Sequence, residues 1–528
     1  MKRCPRFWHA ALLAGLLATA GGATSAFATG FEALSIDPAF VPKNTAPASA
    51  PAVIRGIGFT PTVTVKFDGV SATVTFINSR TLSVQIPTSA IGKETRVTVA
   101  DGADSDDIFP FIYTDGVLYV KPTGNDASNG TTPATAKRTI FGALDTTTAA
   151  IPWLIKVAAG TYTESDLPVY SRVVLSGGWD PNFAVRDPDK FVTVVDGGRA
   201  TLVLRTAGLD GRQVIDGLTI RNGERDGLGG GAIVITGDNT VVSNSVIVGN
   251  TSSARGGAIY SFFSTTYGGE SVFSNNVILG NRSYSKSGGA INIYPFYTQG
   301  QVLDVAISDN YIMGNRSMKS FGGGVDVSTQ ALYGYNNVNL AMVGNVIGGN
   351  RAVTGGGIAI MASSSADDFR LNFDNNLLFG NIVTGDGGGI YFSGVGHIAA
   401  SVTAATLSAN AAGQDGGGGI RFAPGVSYEA GFEAKNLVVW GNTNGNYVGG
   451  PLLTYSDVQG GATGTGNIGS NPGFVAGPMG SFYLAQDANM MSPAVDAGSS
   501  SALSLSMESR TTSSTLTLDA DQVDMGYH

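Results

Sequence analysis

The sequence predicts an all-β protein, in which a right-handed parallel β-helix with three strands per coil follows a small antiparallel β-sandwich. Only 13% of the 528 residues are charged while 75 are glycine, a composition that favours strands and tight turns. A unit closed by asparagine recurs every 28 to 35 residues, and a period of this size indicates a solenoid. The closing residues are Asn222, Asn250, Asn281, Asn315, Asn350, Asn381, Asn410 and Asn442.

Residues 1–28 have the pattern of a secretory signal peptide. Lys2 and Arg3 precede a short apolar run, and Ala26-Phe27-Ala28 is a small-x-small cleavage site. We therefore expect an exported protein, extracellular or on the outer cell surface. The only cysteine is Cys4, so disulfide and thiolate chemistry are excluded from the mature chain. No later stretch reaches the roughly 18 apolar residues of a membrane-spanning helix.

Residues 29–114 are predicted to form the sandwich. Val63, Val65 and Phe67 alternate as on one face of a strand, and "DG" and "NS" supply turns. The stretches "GIGF", "VTVKFDGVSATV", "TLSVQIP" and "FPFIY" resemble the immunoglobulin-like IPT/TIG domain. That resemblance implies an extracellular binding or spacer domain.

Residues 115–460 are predicted to form the β-helix, capped at its start by one helix. Ile140, Ala143 and Leu144 share a helical face ahead of the strand array and would cover its open edge. Each repeat contains a run such as "GGAINIY". We interpret its glycines as a sharp corner between strands, because no helix or lysine follows to make a phosphate loop.

Two features of the repeats predict how coils stack. Alternate residues of the "GG" strands, such as Ile291 and Ile293, would fill the interior. Four asparagines lie five residues before a closing asparagine and would form an amide ladder at a turn. They are Asn276, Asn310, Asn345 and Asn376.

Further stretches resemble secreted bacterial pectate-lyase-like β-helix proteins. They are "YVKPTGNDASNGTTPATAKRTIFGAL", "VAAGTYTE", "LSGGWDPNFAVRD" and "VIDGLTIRNG", and the "GGAI" repeats are similar to those of polymorphic outer-membrane proteins. In residues 461–528, "SPAVDAG" and "LDADQVDMGYH" resemble the C-terminal segment of such β-helix proteins. Members of this group differ in activity, so the resemblance implies the fold rather than the function.

The outward positions of the "GG" strands form the candidate ligand site. Stacked coils lie about 4.8 Å apart, so these positions would form a ribbon of aromatic, amide, carboxylate and guanidinium groups that suits a sugar chain. The predicted binding residues are Tyr260, Asn292, Tyr294, Asp326, Tyr391 and Arg421. Exposed strands also tolerate such residues without any ligand.

Charged groups offer weaker candidates. Arg282, Arg316 and Arg351 each follow a "GN" and would lie near one another, either binding an anion or simply solvated. Asp519, Asp521 and Asp524 offer oxygen ligands to Ca²⁺, although no complete Ca²⁺ loop is present. The adjacent Asp367 and Asp368 are interpreted as a solvated loop pair.

The sequence contains few side chains arranged for catalysis. Asp326 and Arg421 are the candidate catalytic residues, but no second carboxylate accompanies Asp326 in its column, and no aspartate cluster accompanies Arg421. Only three histidines exist, which disfavours a histidine triad or a histidine-rich metal centre.

The preferred function is a surface or secreted scaffold that binds carbohydrate or a surface partner. The alternatives are a polysaccharide lyase or glycoside hydrolase acting on an acidic glycan, and a purely structural or adhesin protein. The net charge of −9 argues against nucleic acid as a partner.

Overall fold

A computed structural model describes residues 31–528 of the chain with short gaps. The described residues are 31–207, 212–227, 229–236, 239–263, 269–295, 302–329, 336–413, 416–428, 432–487 and 490–528. The predicted signal peptide and Cys4 lie outside them. Within these ranges, no helix has the length and apolar character needed to cross a bilayer.

The N-terminal sandwich consists of two antiparallel-dominated sheets and one 3₁₀ turn, Pro47–Ser49. The four-stranded sheet contains, in spatial order, Glu32–Asp37, Pro51–Ile57, Thr81–Gln85 and Thr73–Asn78. The five-stranded sheet contains Phe40–Pro42, Asp104–Thr114, Lys93–Asp101, Thr64–Phe67 and Val70–Ser71. Val63, Val65 and Phe67 are buried between the sheets, as their alternation predicts.

The β-helix that follows has three long parallel sheets. Sheet I contains Gly116–Val120, Trp153–Ala158, Val173–Trp179, Gln213–Asp216, Thr240–Ser243, Gly269–Ser274, Val302–Ser308, Asn337–Val343, Asp368–Asp374, His397–Thr403, Ser427–Tyr428 and Glu433–Lys435. Sheet II contains Gly160–Thr163, Thr193–Asp196, Leu218–Arg221, Val246–Val248, Val277–Leu279, Tyr311–Met313, Val346–Gly348, Leu377–Phe379, Thr406–Ser408, Val438–Trp440 and Asp457–Val458. Sheet III contains Leu167–Tyr170, Leu204–Ala207, Ile233–Ile235, Ile259–Phe263, Ile291–Pro295, Val325–Ser328, Ile358–Ala362, Ile390–Gly394, Ile420–Phe422 and Tyr447–Val448.

A fourth, short sheet lies between sheets II and III in the middle coils, and the sequence repeat did not predict it. It contains the two-residue strands Glu224–Arg225, Thr251–Ser252, Arg282–Ser283, Arg316–Ser317, Arg351–Ala352 and Ile382–Val383. Each middle coil therefore runs from sheet I through sheet II and the short sheet to sheet III. The alternate apolar side chains of all coils meet in one continuous interior core.

Two amide ladders run through the interior turns. The predicted ladder at the turn from sheet I to sheet II is confirmed, with the Asn276 amide donating to Asn310 Oδ1 at 3.0 Å and Asn345 to Asn376 at 2.9 Å. The closing asparagines, used above only to define the period, form a second and longer ladder from Asn250 to Asn442. Stacking satisfies these buried amides because identical groups recur at every coil.

The predicted capping helix is short but correctly placed. It spans Ile140–Leu144, and Ile140, Ala143 and Leu144 are fully buried against the first coil. The Glu164 carboxylate accepts hydrogen bonds from the backbone N–H groups of Ile140 and Phe141 at 2.8 and 2.9 Å. This capping satisfies two otherwise free donors of the first turn.

The sandwich packs on the outer face of sheet I, so its core and that face form a single apolar cluster. Val174, Val214 and Val272 of sheet I join this cluster together with residues of both sandwich sheets, such as Ile54 and Phe111. The sequence did not predict this contact. It makes the sandwich and the β-helix one packed body rather than a domain on a linker.

Residues 469–528 turn back along the β-helix instead of adding coils. After Asp457–Val458 the chain forms the hairpins Phe474–Gly477 with Gly480–Leu484 and Gln486–Asp487 with Met490–Met491, then a 3₁₀ turn at Leu503–Leu505. The chain ends over the turn between sheets I and II, where the His528 N–H donates to Asn375 Oδ1 at 2.7 Å. This return segment also reaches the sandwich.

One buried arginine joins the three parts. Arg80 of the sandwich is 3% exposed and lies 2.5 Å from the Asp374 carboxylate of sheet I. The same guanidinium donates to the Ser506 carbonyl and contacts the Met507 sulfur of the return segment. Asp374 also accepts a hydrogen bond from the Thr403 hydroxyl at 2.6 Å.

Candidate functional site

The predicted binding residues lie on the outer face of sheet III. Strand register places Tyr260, Asn292 and Asp326 on consecutive coils of one column. Ala359, Tyr391 and Arg421 continue that column, and Tyr294 lies in the neighbouring one. The alternation of the "GG" strands therefore located the outward positions correctly.

The corners that begin these strands explain the repeated glycines. Gly288 and Gly322 adopt positive φ angles of 77° and 61°. A Cβ added to Gly322 would lie 2.5 Å from Asp326 Cβ, and one added to Gly288 would lie 2.6 Å from Asn292 Cβ. The first glycine of each pair is thus required for two reasons. Its positive φ angle forms the turn, and a Cβ at its position would collide with the outward side chain of the strand that follows.

The prediction of an open ribbon is corrected by burial. Tyr260 is 9% exposed, Tyr294 7%, and Asn292 and Asp326 are fully buried. Alternation determines which side chains point away from the interior, but it does not determine whether other groups cover them. Coils lie so close together that outward side chains of neighbouring coils pack on one another.

An aromatic and cationic cover lies over the first half of the column. The Tyr260 and Phe262 rings are 6.1 Å apart, and Phe262 stacks with Tyr294 at the same separation. Arg255, from the turn before the strand of Tyr260, places its guanidinium 4.0 Å from the centre of the Tyr294 ring. The alternation of the strands already predicts that Phe262 points outward beside Tyr294, whereas Arg255 was not predicted; a cation next to an aromatic outward column was the available signal.

Asn292 and Asp326 form a buried polar pair beneath this cover. The Asn292 amide donates to Asp326 Oδ2, which also accepts the Ser328 hydroxyl at 2.6 Å. Asn292 Oδ1 and Asp326 Oδ1 are buried without a hydrogen-bond partner. Buried acceptors are usually bonded, and these two are among several unbonded buried acceptors of the described chain.

The electrostatics of the pair follow from its burial. Desolvation raises the pKa of the Asp326 carboxyl to about 6, and the Ser328 hydroxyl, the Arg255 charge and the Asn292 amide oppose that rise. Desolvation likewise raises the pKa of the Tyr260 phenol to about 12, against the attraction of Arg255. A carboxyl that titrates near neutral pH is able both to donate and to accept a proton.

The second half of the column is more open. Tyr391 and Arg421 are half-buried, and the Tyr391 ring stacks on Phe321 at 6.4 Å with an interplanar angle of 12°. Arg421 keeps a buried Nε without a hydrogen-bond partner. This half offers to solvent an aromatic face two coils from Asp326 and a guanidinium three coils from it.

The structure places the other charged candidates elsewhere. Arg282, Arg316 and Arg351 lie in register on consecutive strands of the short sheet, fully on the surface. They form a separate line of charge on a face different from that of the sheet III column.

The acidic candidates for Ca²⁺ converge only in part. Asp519 and Asp524 come together with Asp496, whereas Asp521 is exposed and outside the cluster. The cluster is committed to internal contacts, since Asp519 Oδ2 lies 2.7 Å from His528 Nε2 and Asp524 Oδ1 accepts the Asp496 N–H at 2.7 Å. This arrangement fixes the end of the return segment, and the terminal histidine was not recognised as part of it.

The interpretation of Asp367 as a solvated loop residue was wrong. Its side chain is fully buried and accepts hydrogen bonds from the Thr329 hydroxyl at 2.6 Å and from the Ser364 and Asn336 N–H groups at 2.9 and 3.0 Å. Asp367 therefore closes the connection from sheet III to sheet I. Its neighbour Asp368 begins a sheet I strand, where its side chain is 3.7 Å from Arg370.

The paired sheets of the N-terminal sandwich have a recognisable counterpart among known domains. Residues 36–113 match the IPT/TIG domain. The match covers the sandwich alone and lies within the predicted bounds of 29–114. A search of curated proteins found no match to the chain.

The TIG domain is an immunoglobulin-like module of the surface or adhesion type. In this chain its two sheets carry the apolar face that packs on sheet I, and Arg80 lies in its sequence range. The sheet III column is not part of the contact face of the TIG domain.

Proposed function

We propose that the protein is an exported scaffold, secreted or on the cell surface, that binds carbohydrate through the outer face of sheet III without cleaving it. The observation that carries this proposal is the pair of orphan acceptors, Asn292 Oδ1 and Asp326 Oδ1, beside the aromatic rings of the column. Sugar hydroxyls would donate to these oxygens while sugar ring faces pack on the tyrosines.

The open half of the column is the point of entry. A sugar would stack first on the Tyr391–Phe321 pair beside Arg421, and displacement of the Arg255 side chain would then give it access to Asp326. Arg255 is half-buried and held through its guanidinium on Tyr294, a contact that an arginine side chain can leave at modest cost. The rigid attachment of the TIG domain suits a scaffold displayed at a surface.

Binding is tested on a glycan array with the mature chain. Tyr391→Ala should weaken the strongest signal about three- to tenfold, because one aromatic stacking contact is lost. Tyr170→Ala is the matched control, since Tyr170 is an exposed tyrosine on the first strand of the same sheet, far from Asp326. Equal losses in both variants, or no glycan signal at all, would sink the proposal and favour a purely structural role.

Catalysis is the second candidate function, and the raised pKa of Asp326 favours it. A carboxyl with a pKa of about 6 suits a general acid or base, as a glycoside hydrolase or polysaccharide lyase requires. The hydrogen-bonding groups around Asp326 within the described chain are the Asn292 amide and the Ser328 and Ser287 hydroxyls, so a second catalytic carboxylate is not among them.

The two functions separate in one assay. Polyuronates and neutral glycans are incubated with the protein, and new reducing ends and ultraviolet-absorbing unsaturated ends are followed. The scaffold proposal expects no product; turnover that Asp326→Asn abolishes would replace it with an enzyme. Arg421→Gln is the companion variant, because a lyase needs a basic group near the carboxyl.

Export is tested independently of binding. The signal-like residues 1–28 support secretion, and cleavage after Ala28 would start the mature chain at residue 29. N-terminal sequencing of protein from the culture medium or cell surface checks this expectation. Retention of the intact N-terminus inside the cell would contradict it.

A further inference from the structure

A line of arginines crosses three coils of the short sheet. Arg282, Arg316 and Arg351 occupy the first position of consecutive strands, paired residue for residue. All three side chains are exposed, and neighbouring strands place them about 4.8 Å apart. Lys286 and Lys319 are exposed at the turns that follow the first two strands.

Among the described residues, the three arginines of this line have no acidic partner. No carboxylate of the described chain lies within ion-pair distance of Arg282, Arg316 or Arg351. By contrast, exposed arginines of the earlier coils are paired, Arg205 with Asp166 at 2.7 Å and Arg221 with Asp196 at 2.8 Å. Three uncompensated charges in register repel one another, and this occurs in a chain of net charge −9.

An apolar edge runs beside the charges. Tyr284 and Val353 are 43% and 37% exposed, and Met318 lies between them on the intervening coil. The Arg282 guanidinium is 5.8 Å from the centre of the Tyr284 ring. Guanidinium groups and apolar side chains thus lie next to each other along the same three coils.

We propose that this arginine ladder, with its apolar edge, binds an anionic polysaccharide lying along the β-helix axis. Guanidinium groups match carboxylate and sulfate oxygens in paired hydrogen bonds, and sugar ring faces pack on the Tyr284 side. A single file of charge fits a linear polymer with negative groups at regular intervals. A membrane surface or duplex DNA requires a broader basic face than this acidic chain offers. The ladder is a second site, and it does not depend on binding at the sheet III column.

The experiment measures retention and affinity on immobilised heparin and polygalacturonate, with neutral dextran as the uncharged surface. The variant Arg282→Gln, Arg316→Gln, Arg351→Gln should lose about tenfold or more in affinity. The control variant Arg199→Gln, Arg205→Gln, Arg221→Gln removes the same charge from paired exposed arginines and should stay within about twofold. Wild-type affinity should also fall as salt rises.

Other variants keep the result interpretable. The triple arginine variant should keep the glycan-array signal that Tyr391→Ala weakens, which separates this site from the proposed glycan site on sheet III. Replacement of the three arginines by lysine should restore only part of the affinity, since the charge remains but the paired hydrogen bonds do not. Equal losses in the ladder and control variants would overturn the proposal, as would equal binding to anionic vesicles or duplex DNA.

Discussion

The buried aspartates Asp374 and Asp326 differ in the partners of their carboxylates. Both are fully buried on the outer faces of β-helix sheets. Asp374 faces the Arg80 guanidinium at 2.5 Å and the Thr403 hydroxyl at 2.6 Å. Asp326 is bonded through one oxygen to an amide and a hydroxyl, and its other oxygen has no partner.

The difference separates an aspartate that is paired with a buried arginine from one that is bonded to neutral groups. The charge of Asp374 is compensated by an arginine that also holds the return segment, so the pair specifies how three parts of the chain meet. Among the described residues Asp326 has no ion-pair partner; the Arg255 charge and neutral donors only partly oppose the burial that raises the pKa of its carboxyl to about 6.

The largest effect is expected when Arg80 is removed. Arg80→Met leaves Asp374 buried without a counter-charge and should cost about 3–5 kcal/mol of unfolding free energy. Urea unfolding followed by tryptophan fluorescence measures the loss, and limited proteolysis shows whether the TIG domain detaches. Adding Asp374→Leu should restore much of the stability; if it does not, the pair is not what holds the three parts together.

Two asparagine variants compare a side-chain amide whose Oδ1 accepts hydrogen bonds with one whose Oδ1 has no partner. Asn315 Oδ1 accepts the N–H and the amide of Asn281, so Asn315→Ala should cost about 2–4 kcal/mol through orphaned donors. Asn292 has an orphan Oδ1 and a single bonded donor, its amide to Asp326, so Asn292→Ala should cost about 1–3 kcal/mol. Thermal unfolding of both variants, with the exposed Asn339→Ala as control, tests this order. A larger loss at Asn292 would contradict the contrast.

The pH dependence at Asp326 has a defined sign. Its folded pKa of about 6 exceeds the ordinary 3.8, so the folded state binds more protons between these values. Stability from this group is therefore highest below about pH 4 and falls as pH rises through 6, by about 3 kcal/mol at most. Melting curves of wild type and Asp326→Asn from pH 4 to 8 should diverge in that window. Parallel curves would show that Asp326 is not buried as described.

The smallest effect is expected on the surface. Arg316→Gln relieves like-charge repulsion in the ladder and should change the unfolding free energy by no more than about 0.5 kcal/mol, upward in sign. The melting temperature at low salt measures this change. A clear destabilisation would give the ladder a structural role and weaken its assignment as a binding surface.

Periodicity predicted most of the fold because each coil repeats the same physical problem. The interior positions Ile291 and Ile293, the Asn276–Asn376 ladder and the glycine corners were all readable from spacing. The spacing of the closing asparagines also predicts the second ladder, although it was interpreted only as the repeat period. The short sheet was missed because two-residue strands leave too little alternation to detect.

The sequence predicted the register of the candidate site residues but not their burial. Register placed Tyr260, Asn292 and Asp326 in one column, yet their burial depends on Arg255 and Phe262, which reach them from the side. Asp496 joined Asp519 and Asp524 in place of Asp521, because the chain reverses between residues far apart in sequence. Spacing along a strand carries no information about such lateral contacts.

The sequence by itself determined the two architectures, their order and the side of each strand that faces the interior, because these depend on local alternation and a repeat that every coil shares. Only the tertiary structure decided that the TIG domain packs on sheet I, that Arg80 meets Asp374, and that Asp326 is covered while the arginine ladder is bare. Burial and pairing depend on which surfaces meet in space, and each of these meetings joins residues that share no repeat. Tertiary contacts therefore cover the polar side chains of the sheet III column, whereas the arginine ladder of the short sheet stays exposed.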